Sequence, residues 1–257
     1  MHANQRLANL RELLAARPSR DVWHRLCALL DAWPDRLDLS IALDYASEHL
    51  KSWPDRLRVA PAAWWRPVAE RDADQPRLTL VRALELSAEV EVDAPLLTLA
   101  RCPQLSDLLI LKLSHCELLD DATLADLLSE PNLADLEELW IDGIDLTWDH
   151  LNHWEDIETV PALLTLALVN DALEDDAIEA LCGIDALASL VRLDLSSNHI
   201  GDEGARALAR CPHLSALRQL VLRDNPIGEE GYAHLFEDPT FDPEVLVIEP
   251  GYGYGDG

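Results

Sequence analysis

One template recurs along this chain: leucine-x-x-leucine-x-leucine followed by a turn. Its first anchors fall at Val81, Leu108, Leu136, Leu163, Leu190, Leu217 and Pro243, in steps of 27, 28, 27, 27, 27 and 26 residues. A unit of that length holds one strand and one helix and is too short to enclose a core of its own. It can bury its apolar side only against the next copy, so the period predicts an open solenoid of six or seven stacked units.

Composition agrees with a folded, soluble chain. Of its 257 residues 49% are hydrophobic, enough for a sizeable core. Arg6 and Arg11 interrupt the leucines near the start, so no secretory leader is expected, and no apolar run is long enough to cross a membrane. The five cysteines, Cys27, Cys102, Cys116, Cys182 and Cys211, are widely spaced without a CxxC pair. Zinc or a disulfide framework is therefore not expected, and reduced thiols in the cytoplasm are. Cys102 and Cys211 both sit in Ala-Arg-Cys-Pro ahead of a strand, which suggests a buried slot for a small apolar side chain.

Charge is distributed unevenly. Residues 1–77 carry 12 basic and 11 acidic side chains, whereas residues 78–257 carry 8 and 37, for a net charge of −28 overall. Such repeats repel nucleic-acid phosphates and acidic membranes and favour a protein partner with a basic surface. Acids gather where each helix begins, at Asp120 and Asp121, Asp149, Glu174 to Asp176, Asp202 and Glu203, and Glu229 and Glu230. The helix dipole stabilises them there, and stacking would line them up as an acidic ridge along one rim.

Residues 1–77 read as a helical domain that caps the first repeat. Leu7, Leu10, Leu13 and Leu14 share one helical face, and a second helix runs from Asp21 until Trp33-Pro34 stops it. A third lies between two copies of Trp-Pro-Asp-Arg-Leu, at 33–37 and 53–57. Five of the eight tryptophans fall here, Trp23, Trp33, Trp53, Trp64 and Trp65, and are expected to form a core that covers the end of the solenoid.

The clearest units are Leu190-Val-Arg-Leu-Asp-Leu-Ser-Ser-Asn198-His-Ile-Gly-Asp-Glu-Gly and Leu217-Arg-Gln-Leu-Val-Leu-Arg-Asp-Asn225-Pro-Ile-Gly-Glu-Glu-Gly. From residue 78 to about 250 the chain resembles leucine-rich repeats of the ribonuclease-inhibitor type. The resemblance implies an α/β solenoid with parallel strands on the concave side and helices on the convex side. It implies that Asn198 and Asn225 satisfy backbone groups in the turns, with Cys116 as a substitute. Gly201, Gly204, Gly228 and Gly231 match its loop and close helix contact. Glu89, Ile144 and Asp171 depart from the asparagine position, so the first, third and fourth turns are expected to be irregular.

Alternation along each strand places every second residue on the open concave face. The central column reads Glu85, Lys112, Trp140, Ala167, Asp194, Val221, Val247. One neighbour reads Ala83, Ile110, Glu138, Thr165, Arg192, Gln219, Val245, and the other Ser87, Ser114, Asp142, Val169, Ser196, Arg223, Glu249. These positions hold five acids and three bases, far less acidic than the repeats as a whole. The face reads as a mixed protein-binding surface in which Lys112, Glu138, Trp140, Asp142, Val169, Arg192, Asp194, Val221 and Arg223 are the candidate contacts. Trp148, on an adjoining surface, stands where other units have an acid in the first helical turn and joins them as a second anchor.

No phosphate loop, GxSxG elbow, HExxH or dinucleotide fingerprint occurs. His150 and His153 lie three apart beside acids, but His150 replaces a small residue of other units and is read as space-filling. The expected function is non-enzymatic, without cofactor, metal or small-molecule substrate: an adaptor, inhibitor or sensor that holds a protein. The alternative is a regulator that activates a small GTPase. The tail Gly251-Tyr-Gly-Tyr-Gly-Asp-Gly is expected to be disordered.

Overall fold

A computed structural model describes residues 3–34, 36–71, 73–87, 93–116, 122–157, 161–237 and 247–250. Glu89, Asp120, Asp121, Pro243, Val245 and the tail 251–257 lie outside the described residues. The repeats contribute β1 (Ala83–Ser87), β2 (Ile110–Ser114), β3 (Glu138–Asp142), β4 (Thr165–Val169), β5 (Arg192–Asp194), β6 (Gln219–Leu222) and β7 (Val247–Pro250). These form one parallel sheet in chain order. The first six each return through a helix on the opposite side: α5 (Asp93–Ala100), α6 (Thr123–Leu128), α7 (Trp148–Asn152), α8 (Asp175–Cys182), α9 (Asp202–Ala209) and α10 (Glu229–Glu237). Ahead of them run α1 (Ala3–Ala15), α2 (Arg20–Asp31), α3 (Arg36–Leu50) and α4 (Ala62–Arg71).

Leu84, Leu111, Leu139, Leu166, Leu193 and Leu220 stand in one row, strand to strand, and Ile248 continues it. The leucines are all 2% exposed or less, so this row faces the core and its neighbours in sequence face out. The last strand departs from expectation. Val221 pairs with Glu249 rather than Val247, and Gln219 with Val247 rather than Val245. Counted back from Ile248, the template's first anchor becomes Val245 rather than Pro243. Val245 to Ile248 is apolar at every position, so alternation could not fix its register.

The N-terminal helices close the first end of the sheet. Ser19 caps α2 by accepting from Val22 N–H at 3.2 Å. All five tryptophans of the segment are buried. Trp23 and Trp64 meet edge to face at 6.3 Å, and their indole N–H groups donate to Val59 O at 2.8 Å and Asp31 Oδ1 at 2.7 Å. Val59 bridges Ala83 in parallel, so the segment shields the outer edge of β1. The hydrophobic core is then one cluster from Leu10 to Leu235, shared by cap and repeats.

Arg58 bolts these parts together. Its backbone carbonyl accepts from Arg82 and Ala83 N–H at 3.0 and 3.2 Å. Its side chain, 2% exposed, donates through Nε to Leu80 O at 2.7 Å and through Nη1 to Leu50 O at 3.5 Å. Burial and the neighbouring Arg82 lower its pKa to about 10, against the pull of Asp55 and Asp107, so it stays a cation at neutral pH.

The strand ends are held by side-chain bridges between units. Asn198 Oδ1 accepts from Asp171 and Leu173 N–H at 3.0 and 3.1 Å, and its amide donates to Leu168 O and Leu195 O at 2.8 and 2.9 Å. Asn225 repeats this one unit on, accepting from Ile200 N–H at 3.1 Å and donating to Leu195 O at 2.8 Å. Each of the turns after β2 to β6 places a residue in the left-handed region, at His115, Gly143, Asn170, Ser197 and Asp224. Asp145 and Ala172 add a second such residue in the third and fourth turns. Those turns are irregular, as the missing asparagines suggested; the first lies outside the described residues.

Asp171 performs half of the asparagine's task. Its Oδ1 accepts from Ile144 N–H at 2.8 Å, while Oδ2 is buried without a hydrogen-bond partner. Oδ2 occupies the branch that in Asn198 is an amide donor, and a carboxylate has nothing to donate. Burial raises its pKa to about 7. The Ile144 and Leu146 N–H groups oppose the shift, and Asp142 and Asp145 add to it.

Two predictions follow from these contacts. Arg58→Ala leaves the Leu80 carbonyl without its buried donor, at about 1–3 kcal/mol, while Leu50 O keeps the Trp53 N–H at 3.0 Å, and a denaturant titration should show a fall in midpoint. Asp171 binds its proton more tightly folded than unfolded, where its pKa is 3.8. Its contribution is complete below that value and is lost as pH rises toward and through about 7, by up to about 1.4 kcal/mol per pH unit in that window. Asp171→Asn should therefore raise Tm at pH 8 more than at pH 5; an equal shift at both would refute the assignment.

Candidate protein-binding surface

The concave columns gather the candidate residues on β1 to β6. Glu85, Lys112, Trp140, Ala167, Asp194 and Val221 are consecutive cross-strand partners. Trp140 is the centre of the group. Lys112 Nζ lies 5.4 Å from its ring centroid and Arg192 Cζ 5.8 Å, so cations from two other strands meet the indole. Its Nε1 donates to Glu138 Oε2 at 3.1 Å.

Arg192 reaches Trp140 diagonally across β4, where Thr165 is the partner of Arg192 and the small Ala167 the partner of Trp140. A larger side chain there would occupy the space over which indole and guanidinium meet. Ala167 is accordingly 1% exposed although it belongs to the open face. The cations are themselves paired. Lys112 lies 3.3 Å from Glu85, and Arg192 Nη2 donates to Asp194 Oδ2 at 2.6 Å. Asp194 Oδ1 accepts from Ser196 N–H and Oγ–H at 3.2 and 2.6 Å. From Glu85 to Ser196 the strip alternates charge around one aromatic ring.

Not every candidate is as open as alternation suggested. Val221 is 3% exposed and Asp194 7%, the latter enclosed by Arg192 and Ser196, which bond its carboxylate. Asp194 still faces the concave side, where all three of its partners lie, while Leu193 and Leu195 on either side are fully buried. Lys112, Glu138, Trp140, Asp142, Val169 and Arg192 are partly exposed, and Arg223 is exposed. These are the side chains of the face that another molecule can touch.

Trp148 lies apart from this strip, at the first position of α7, and is 42% exposed. It borders a rim cavity of about 440 Å³ with Asp145, Asp149, Glu174 and Asp176. Thr147 before it forms a capping box with His150, whose Nδ1 accepts from Thr147 N–H at 3.1 Å. His150 is buried in that role, and His153 Nδ1 is engaged with Asp149 O at 2.7 Å. Among the described residues no histidine, cysteine and carboxylate group has the makings of a metal site.

The helix-start acids serve two purposes rather than forming a uniform ridge. Asp175 Oδ1 accepts from Gly201 N–H at 2.7 Å, and Asp202 Oδ1 from Gly228 and Gly231 N–H at 2.7 and 3.1 Å. A Cβ at Gly204 would fall 2.5 Å from Asp175 Oδ1, which is why that position lacks a side chain. Glu174, Asp176, Glu229 and Glu230 stay exposed and carry the rim's negative potential. This second set of bridges lay hidden in the sequence, where the acids looked like helix caps alone.

A sheet of strand-turn-helix units in one register defines the class, an α/β solenoid with an open face. A family model described as Leucine Rich repeat matches residues 186–209, which hold β5 and α9. Among solved structures it is similar to an internalin from Listeria monocytogenes, with 19% identity and a TM-score of 0.37 over 65% of this chain and 48% of that one. The chain thus spans about half the length of that internalin. No curated protein matches its sequence.

Ala167→Leu should push Trp140 and Arg192 apart. Indole quenching by acrylamide should rise relative to the parent, and the difference should vanish in a Trp140→Phe background. No rise would mean that Ala167 does not set the stack.

Proposed function

We propose that this chain is a non-enzymatic protein-interaction module of the cytoplasm, an adaptor, inhibitor or sensor that holds a protein against its concave strands and the adjoining rim. Leucine-rich repeat architecture supports a protein-interaction role in general. The observation that carries the finer reading is Trp140, an aromatic side chain presented on an open sheet and held by Lys112 and Arg192. An aromatic so pre-positioned loses little freedom on binding, and tryptophan and arginine are the residue types that most often dominate interface energy.

Trp148 supplies a second anchor on the rim, among exposed acids that favour a basic patch on the partner. No helix among the described residues is long and apolar enough to cross a membrane. The partner in this reading is a folded protein, held without a cofactor.

The test is affinity capture from the native cytosol, followed by titration of the captured protein against variants. Trp140→Ala should weaken binding by about 2 kcal/mol, roughly thirtyfold in Kd. Arg192→Glu should weaken it through both the stack and the ion pair. Trp148→Ala should act mainly on the salt-dependent part of the affinity. Unchanged binding in all three, with unchanged far-UV spectra, would move the site away from this face.

A further inference from the structure

On the convex side, away from Trp140, the fourth and fifth units bring two thiols together. Cys182 is the last residue of α8, and Cys211 follows α9 at the start of a 3-10 turn. They are 29 residues apart in sequence, and the spacing of cysteines along the chain gave no sign of a pair. Stacking sets residues about 27 apart side by side, so a two-residue offset is enough to make neighbours of them. Cys182 Sγ lies 3.7 Å from Ala207 O, and Cys211 Sγ lies 3.9 Å from Cys182 O. Each thiol thus lies against the backbone of the neighbouring unit, and that of Cys211 against Cys182 itself.

We propose that Cys182 and Cys211 form an oxidisable dithiol, a modification site that a two-electron oxidant of the peroxide class closes into a disulfide between neighbouring repeats. Accessibility divides the roles. Cys182 is half-buried and is the sulfur an oxidant can meet, while Cys211 is 1% exposed and shielded from it.

The steps balance. The Cys182 sulfur attacks one peroxide oxygen, the O–O bond breaks, and the second oxygen leaves as water with the thiol proton, giving Cys182 sulfenic acid. The Cys211 sulfur then attacks Cys182, the S–O bond breaks, and hydroxide leaves as a second water with the proton that the pair had kept. Two thiols and one hydrogen peroxide become one disulfide and two waters. Cys102 provides an internal control. It occupies the place in its own unit that Cys211 occupies, in Ala-Arg-Cys-Pro, but its thiol turns to Gln104 Oε1 at 2.9 Å.

The experiment uses the full reduced chain and hydrogen peroxide at increasing molar ratio. Remaining thiols are alkylated in denaturant, and the product is weighed intact and after digestion. Mild oxidation should remove two hydrogens, leave Cys27, Cys102 and Cys116 alkylated, and yield one cross-linked peptide pair joining Cys182 to Cys211. Dithiothreitol should reverse it, and the oxidised protein should show a higher Tm. Cys182→Ser, a change at a half-exposed position that the fold tolerates, should abolish the mass loss, as should Cys211→Ser. Full alkylation of all five cysteines after oxidation, a bond between any other pair, or a bond between two chains would each overturn the proposal.

Discussion

Everything on the open face depends on the hydrogen bonds that fix one unit against the next at the end of each strand. A short parallel strand gains little from its own ladder, and the three residues of β5 are too few to set a register alone. Asn198 and Asn225 lock it, each joining two turns through an acceptor and a donor on one side chain. Asp175 and Asp202 do the same at the helix starts, where a carboxylate accepts from the next unit's glycine. With both ends pinned, alternation along the strand decides which residues meet solvent.

Asp171 shows what it means to keep the position but change the atom. The chain retains the acceptor and loses the donor, and the cost falls in the third and fourth units, where Asp145 and Ala172 take left-handed conformations beside it. Those units also carry Trp148 and the rim cavity. Irregular backbone and an exposed aromatic thus coincide in a region where the inter-unit bridge is incomplete. Functional surfaces are commonly found where local rules are relaxed in this way.

Much of the fold was legible because two periods, 27 residues between units and two within a strand, are both written in leucine. Where one of them disappears, the reading fails. Val245 to Ile248 has no polar residue to mark a face, and the final strand was placed two residues out of register. The candidate face was legible as columns, since Lys112 and Trp140 are neighbours in register. Its packing was not. That Val221 and Asp194 are covered depends on the side chains around them, which alternation along a single strand does not encode. The bridge from Asp175 to Gly201 and the meeting of Cys182 with Cys211 each join residues of different units whose types do not announce the pairing.

The concave strip also limits the energy available to any partner. Lys112 and Arg192 are already matched by Glu85 and Asp194, so an incoming charge must compete with pairs that are in place and partly desolvated. Exchange of one ion pair for another contributes little net affinity, although it can exclude a partner of the wrong charge. The gain must come instead from burying the Trp140 ring and the aliphatic stems around it. Of the exposed acids of the rim, Glu230 faces Arg206 at 3.6 Å, while Glu174, Asp176 and Glu229 are under less of that restriction. They act at longer range on the approach of a basic surface, through a field that salt screens over about 8 Å. In the proposed reading the rim governs how fast a partner arrives, and the tryptophan how long it stays.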